Sequence, residues 1–185
     1  MVPVILLFCE EMDTPPVGLL AAIHADYIQP NRWVAWADRQ IGHTKEPPMW
    51  LIDLSLARDT SAAWNAISES IHDTPELPLR ELDEIALGLI ALKYFEGEIE
   101  FSTFLHRAGD HTDPSSCSTD CEYFYHHLNR YLSAPSPRDY EDRAAPEIRQ
   151  YLKEAIDLAQ VAKAQIKPVT EQAGGHQNPT RPEST

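Results

Sequence analysis

Apolar residues recur every three or four positions along most of this chain, and prolines or small polar residues interrupt them. This spacing is typical of helices that bury one face. Residues 79–95 give the clearest case in the first half, and their apolar positions are Leu82, Ile85, Ala86, Leu89 and Leu92. We predict that this segment is the central helix. We also expect Gly88 to let a neighbouring helix come close and Gly97 to end the helix.

The same pattern predicts helices at about residues 14–27, 32–43, 49–58, 62–71, 101–108, 117–132 and 145–166. Several begin at prolines, which are tolerated in the first turn because the N–H that proline lacks would have no partner there. The helix at 49–58 is apolar on nearly all sides, so we expect it to be well buried. The predicted fold class is all-α, a compact bundle of about seven or eight helices in an irregular or helical-hairpin arrangement. Residues 4–8 are the one segment that could form a strand.

The last predicted helix carries a heptad seam, which consists of Ile148, Leu152, Ala155, Ala159, Ala162 and Ile166. Small alanines in such a seam favour close packing against one neighbouring helix. That neighbour can belong to the same chain or to a second copy, which would give self-association through residues 148–166. Residues 167–185 have few apolar side chains, and we predict a disordered tail after a single domain at 1–166.

The charge balance restricts the partners that the chain can bind. It has 185 residues with 29 Asp and Glu against 15 Lys and Arg, a formal net charge of −14. Such a surface repels nucleic-acid phosphates and anionic lipids, so we expect a protein partner, a basic one above all, and neither nucleic acid nor membrane. The chain has three cysteines, an odd number that indicates reduced thiols and a cytoplasmic location.

Histidines and cysteines concentrate between residues 106 and 127, which makes this segment the candidate metal site. The candidate ligands are His111, Cys117, Cys121 and His126. The two cysteines are four residues apart, so a helix would place them on one face, and zinc favours nitrogen and sulfur ligands. The spacing matches no C-x-x-C pair, however, and Cys121 falls on the predicted core face. Core thiols with surface histidines are the alternative, and we favour it, with no cofactor.

A candidate interaction surface consists of Trp36, Arg39 and Asp53. Trp36 lies off the apolar stripe of its helix, so it could be exposed and mark a contact surface. Asp53 interrupts an apolar helix, where a buried carboxylate would need a partner such as Arg39 or Arg58. An ion pair that fixes helix packing is the interpretation we favour, and a general acid or base is the alternative.

The chain contains no glycine-rich phosphate loop, no G-x-S-x-G motif and no H-E-x-x-H motif. We therefore favour a non-enzymatic interaction or regulatory module, in its sharper form an immunity- or inhibitor-type protein that binds a basic partner. The alternative is a small helical metalloprotein or enzyme that uses the histidine and cysteine cluster at 106–127, with zinc as its cofactor.

Overall fold

The computed structural model describes residues 16–71 and 79–171, and all regular secondary structure within these ranges is helical. Its nine helices are α1 Val17–His24, α2 Pro30–His43, α3 Met49–Leu56, α4 Thr60–Ile71, α5 Leu79–Phe95, α6 Phe101–Thr112, α7 Cys121–Ser133, α8 Pro137–Tyr151 and α9 Lys153–Glu171. This confirms the all-α prediction. None of these described helices has the length and apolar character needed to cross a bilayer. The strand suggested at residues 4–8 and residues 172–185 of the tail predicted at 167–185 lie outside the described ranges.

Helix α5 is the centre of the fold, as its sequence predicts, because α1, α6 and α9 all pack against it. Its middle is buried on every side, with Leu87 and Leu89 fully inaccessible to solvent. A Cβ atom added to Gly88 would lie 2.5 Å from the carbonyl carbon of Ala155 and 2.7 Å from the Cβ atom of Ala159. The α5 and α9 backbones therefore touch at Gly88, and the predicted close approach is confirmed.

The end of α5 follows the predicted glycine stop. Gly97 has a φ of +79°, a conformation that glycine adopts without steric cost. The Glu98 N–H donates to the Lys93 carbonyl at 2.8 Å and the Gly97 N–H donates to the Tyr94 carbonyl at 2.9 Å. These two bonds define a Schellman motif and satisfy carbonyls that the end of the helix would leave without partners.

The predicted helix at 145–166 is instead two helices, α8 and α9, that meet at Leu152. The first begins earlier than predicted because Ser136 caps it and Pro137 occupies its first position. The change of direction at Leu152 lets α8 pack on α7 while α9 packs on α5 and α1. Helix α9 also extends to Glu171, five residues beyond the predicted end at Ile166.

The heptad seam is buried within the chain. All six of its residues are 3% exposed or less: Ile148, Leu152, Ala155, Ala159, Ala162 and Ile166. Because the chain's own helices cover these side chains, a second copy could reach them only by displacing those helices. Self-association through 148–166 would have to use the outer face of α9, where Leu158 and Val161 are exposed.

Helices α2 and α3 pack against each other around three tryptophans. Trp33 is fully buried, and its indole N–H lies 3.4 Å from the Ala57 carbonyl oxygen. Trp36 is 3% exposed and its ring stacks on Trp50 with centroids 6.4 Å apart. The prediction that Trp36 is exposed is therefore wrong, because α3 covers the side of α2 that carries it.

Helix α3 is buried on one side only. Trp50, Leu51 and Leu54 belong to the core, whereas Met49 is 67% exposed and Leu56 is 71% exposed. The expectation that the whole helix is buried is therefore wrong. The helix is apolar on nearly all sides, but in the described structure its neighbours α2 and α4 cover one face.

Candidate functional site

The histidine and cysteine segment folds differently from the prediction at Gly109. The sequence predicts a helix at about 101–108, but α6 continues through Gly109 to Thr112. A Cβ atom at Gly109 would lie 2.7 Å from the ring of Tyr125, so this glycine makes room for an aromatic ring of α7. As a result His111 lies in the last turn of α6 instead of a loop.

The two cysteines do not share a helical turn. Helix α7 begins at Cys121, where the Asp120 carboxylate accepts the Glu122 N–H at 3.0 Å as an N-cap. Cys117 lies in the preceding loop. Cys121 is half-buried outside the core, and its thiol donates to the Asp113 carboxylate at 3.4 Å, so its predicted place on the core face is also wrong.

The four predicted ligands are dispersed in the structure. His111 and Cys117 do meet, with Nε2 and Sγ 3.8 Å apart. Cys121 faces Asp113, and His126 lies on an exposed part of α7 that lines a separate cleft. The predicted set of His111, Cys117, Cys121 and His126 is therefore not assembled around one point.

The structure instead brings His111 together with His24 and Asp83. One ligand atom from each of the three side chains lies within 4.8 Å of the other two. His24 is the last residue of α1, Asp83 lies in the second turn of α5, and His111 lies in the last turn of α6. No spacing within one segment of the sequence indicates this cluster, because its members come from three separate helices. We call these three residues the His–Asp–His cluster.

Neighbouring groups hold the cluster in place. His111 Nε2 lies 2.9 Å from the carbonyl oxygen of Asp83, and the Ser116 N–H donates to Asp83 Oδ2 at 2.7 Å. The His24 ring packs between the rings of Trp64 and His111, with centroid distances of 4.9 Å and 5.2 Å. Burial, followed by repulsion from His111, lowers the pKa of His24, and Asp83 partly opposes that shift.

Cys117 lies beside the cluster as a neutral thiol. Burial raises its pKa to about 11, and the nearby Glu84 and Asp83 carboxylates add to the shift. A thiol with such a pKa is protonated at neutral pH, so it is a poor nucleophile there.

The cluster lies in a strongly acidic part of the molecule. Residues 79–84 and 110–122 contain one Lys or Arg, which is Arg80, and seven acids: Glu81, Asp83, Glu84, Asp110, Asp113, Asp120 and Glu122. Two of the acids tie the α6–α7 loop to α5, since Asp83 accepts the Ser116 N–H and Glu84 accepts the Ser118 N–H, both at 2.7 Å. We call the surface formed by these two segments the acidic end.

The predicted interaction residues do not form one surface. Trp36 is buried, as described above, and Asp53 is half-exposed on α3. Among the residues that the structure describes, no ion pair joins Asp53 to Arg39 or Arg58. Arg39 lies on the neighbouring helix α2, and its Nε atom is buried without a hydrogen-bond partner. Because α3 leaves one face open to water, Asp53 is solvated there and needs no buried partner.

The cleft that His126 lines has a volume of about 410 Å³ and lies between α7 and α8. His126, His127, Arg130 and Arg143 contribute to its lining. His127 Nδ1 lies 2.9 Å from the hydroxyl oxygen of Tyr140, and burial is the main cause that lowers the pKa of His127. The lining also includes Glu147, whose negative charge offsets part of the attraction that the arginines exert on an anion.

The His–Asp–His cluster and the acidic end around it define the chemistry that this part of the molecule can perform. Two imidazoles and a carboxylate can bind a divalent cation, and the surrounding carboxylates attract cationic groups. Comparison with known proteins gives no match to a family model, to a curated protein or to a solved structure.

Proposed function

We propose that this chain is a non-enzymatic interaction module that binds a basic protein partner through its acidic end. The observation that carries the proposal is the concentration of seven carboxylates against one arginine in residues 79–84 and 110–122. An immunity- or inhibitor-type protein that neutralises a basic partner is the specific form of this role.

The arrangement of the carboxylates supports binding because several of them are fixed by the fold. Asp110 accepts the Tyr125 hydroxyl at 2.7 Å, and Asp113 accepts the Cys121 thiol at 3.4 Å. Both carboxylates remain exposed. Side chains that the fold already holds in position lose little conformational entropy when a partner binds.

The net charge supports the same role through association kinetics. Complementary charge on two proteins steers their encounter and raises the association rate at low salt. With a formal net charge of −14, this chain would attract a cationic surface over a distance of about one Debye length, roughly 8–10 Å at physiological salt.

Neutralising part of the acidic end tests the proposal. The test variant is Asp110→Asn/Asp113→Asn/Glu122→Gln. The control is Asp38→Asn/Glu46→Gln/Glu154→Gln, which removes the same charge from exposed positions of α2, the α2–α3 loop and α9. Each purified chain is used to capture proteins from a lysate of the cells that encode it, and a captured basic protein is then purified for kinetic measurement.

We expect the test variant to associate with that protein on the order of tenfold more slowly at low salt, and the control variant to lose much less. Equal losses in the two variants would show that net charge matters and the acidic end does not. If no basic protein is captured by the unmodified chain, the proposal fails.

A further inference from the structure

We propose that His24, Asp83 and His111 form a binding site for a divalent transition-metal ion, with Zn²⁺ as the ion that suits these ligands best. This site goes beyond the interaction role, because it would bind a small cation whether or not a protein partner is present. It also differs from the ligand set that the sequence suggested, since only His111 belongs to both.

The distances within the His–Asp–His cluster allow metal binding after small side-chain rotations. Zinc lies about 2.0–2.2 Å from nitrogen and oxygen ligands, so two ligands of one tetrahedral ion are roughly 3.4 Å apart. The three ligand atoms already lie within 4.8 Å of one another. Each atom therefore has to move by about 1 Å, which rotation of an imidazole or carboxylate can supply without any change in the helices.

The position of the cluster favours a cation. His24 is the last residue of α1, and His111 lies in the last turn of α6. The C-terminal end of a helix carries a partial negative charge. The carboxylates of the acidic end add to that field, so a cation is attracted to the cluster from several sides.

The ligand types select the class of metal. Two imidazole nitrogens and one carboxylate oxygen suit zinc and similar transition metals, whereas Ca²⁺ and Mg²⁺ prefer oxygen ligands alone. Three protein ligands leave the fourth tetrahedral position to water. The Ser116 amide on Asp83 Oδ2 and the Asp83 carbonyl beside His111 Nε2 orient two of the three side chains, as outer hydrogen bonds do in known metal sites.

Competition for Zn²⁺ tests the site. The full chain is stripped with a chelator, and Zn²⁺ is titrated in the presence of a chromophoric chelator of known affinity. We expect one site per chain, and about tenfold to hundredfold weaker binding in His24→Ala, Asp83→Asn and His111→Ala. His126→Ala is the matched control, and it should bind Zn²⁺ as the unmodified chain does, because His126 lies in the separate cleft.

Two results would overturn the assignment. The first is that the unmodified chain does not bind Zn²⁺ saturably at one ion per chain. The second is that His126→Ala loses as much affinity for Zn²⁺ as His24→Ala does. Thermal unfolding is an independent readout, since an ion that binds the folded chain alone raises Tm. Zn²⁺ should raise the Tm of the unmodified chain and of His126→Ala but not that of His24→Ala. An equal rise in all three would place the ion elsewhere.

Discussion

Replacing Gly88 with alanine should destabilise the protein more than placing alanine at an exposed glycine would. The substitution adds one methyl group at the place where α5 and α9 touch. That methyl carbon would lie 2.5 Å from the carbonyl carbon of Ala155, whereas ordinary contacts begin at 3.4 Å. The difference, 3.4 − 2.5 = 0.9 Å, is the least by which the two helices must separate along this line. Because the obstacle is backbone, no rotation of a side chain can relieve it.

The magnitude follows from two opposing effects. Overpacking a tight core costs about 1–3 kcal/mol and sometimes more. A gap of 0.5–1 Å also forfeits roughly a quarter to a half of each dispersion contact across the interface. Alanine gains about 1 kcal/mol over glycine in helix propensity. Because the obstacle is backbone, the packing cost lies near the upper end of its range, and we expect a net loss of about 2 kcal/mol for Gly88→Ala, which would lower Tm by roughly 4–8 °C in a domain of this size.

Urea denaturation at neutral pH measures this loss. Gly42→Ala is the matched control, because Gly42 lies in α2 and a Cβ atom there would have no heavy atom within 4 Å. That variant should be as stable as the unmodified chain or more stable, by up to about 1 kcal/mol. If the unfolding free energy of Gly88→Ala is within about 0.5 kcal/mol of that of the unmodified chain, the two helices do not meet at Gly88 and the packing argument is wrong.

Three further predictions use other parts of the described structure. Asp59 Oδ1 accepts the Ala62 N–H at 2.8 Å as the cap of α4, so Asp59→Ala should lower the unfolding free energy in urea by about 1 kcal/mol, and an unchanged midpoint would contradict the cap. The pKa of Cys117 is raised from 9.0 to about 11, so near pH 8 its thiolate fraction should be about 100-fold lower than in the denatured chain. Mass spectrometry after alkylation should show that difference in rate, and equal rates in buffer and denaturant would refute it. Burial lowers the pKa of His127 below the ordinary 6.5, so the unfolded chain binds more protons and stability should fall as pH drops below about 6.5. His127→Gln should show a shallower fall below about pH 6.5 in urea denaturation, and equal slopes would rule out a contribution from His127.

Features that depend on neighbouring residues in the chain could be predicted from the sequence. The helical period located α5, and the glycine at position 97 correctly marked its end. The heptad spacing identified the buried face of the last helical segment, although it did not reveal the break at Leu152. These features could be predicted because helix periodicity and helix-ending bonds involve residues only a few positions apart.

Features that depend on distant residues could not be predicted. The helix predicted at 101–108 continues through Gly109, where the ring of Tyr125 in the next helix leaves no room for a side chain. The residue pattern of α2 predicted an exposed Trp36, but α3 covers it in the structure. The His–Asp–His cluster combines the ends of α1 and α6 with an early turn of α5, and no spacing within one segment signals such a meeting. Local patterns therefore predicted the helices but not which side chains meet between them.

The carboxylates of the acidic end divide into those that hold the loop and those that present charge. Asp83, Glu84 and Asp120 accept backbone N–H groups, which stabilises the α6–α7 connection at the cost of crowding like charges. A cation bound beside Asp83 would relieve that repulsion and also reduce the negative field that attracts a basic protein. Binding linkage is reciprocal, so a basic partner would weaken metal binding by the same factor. The two proposed activities are therefore antagonistic, because both draw on the same negative charge.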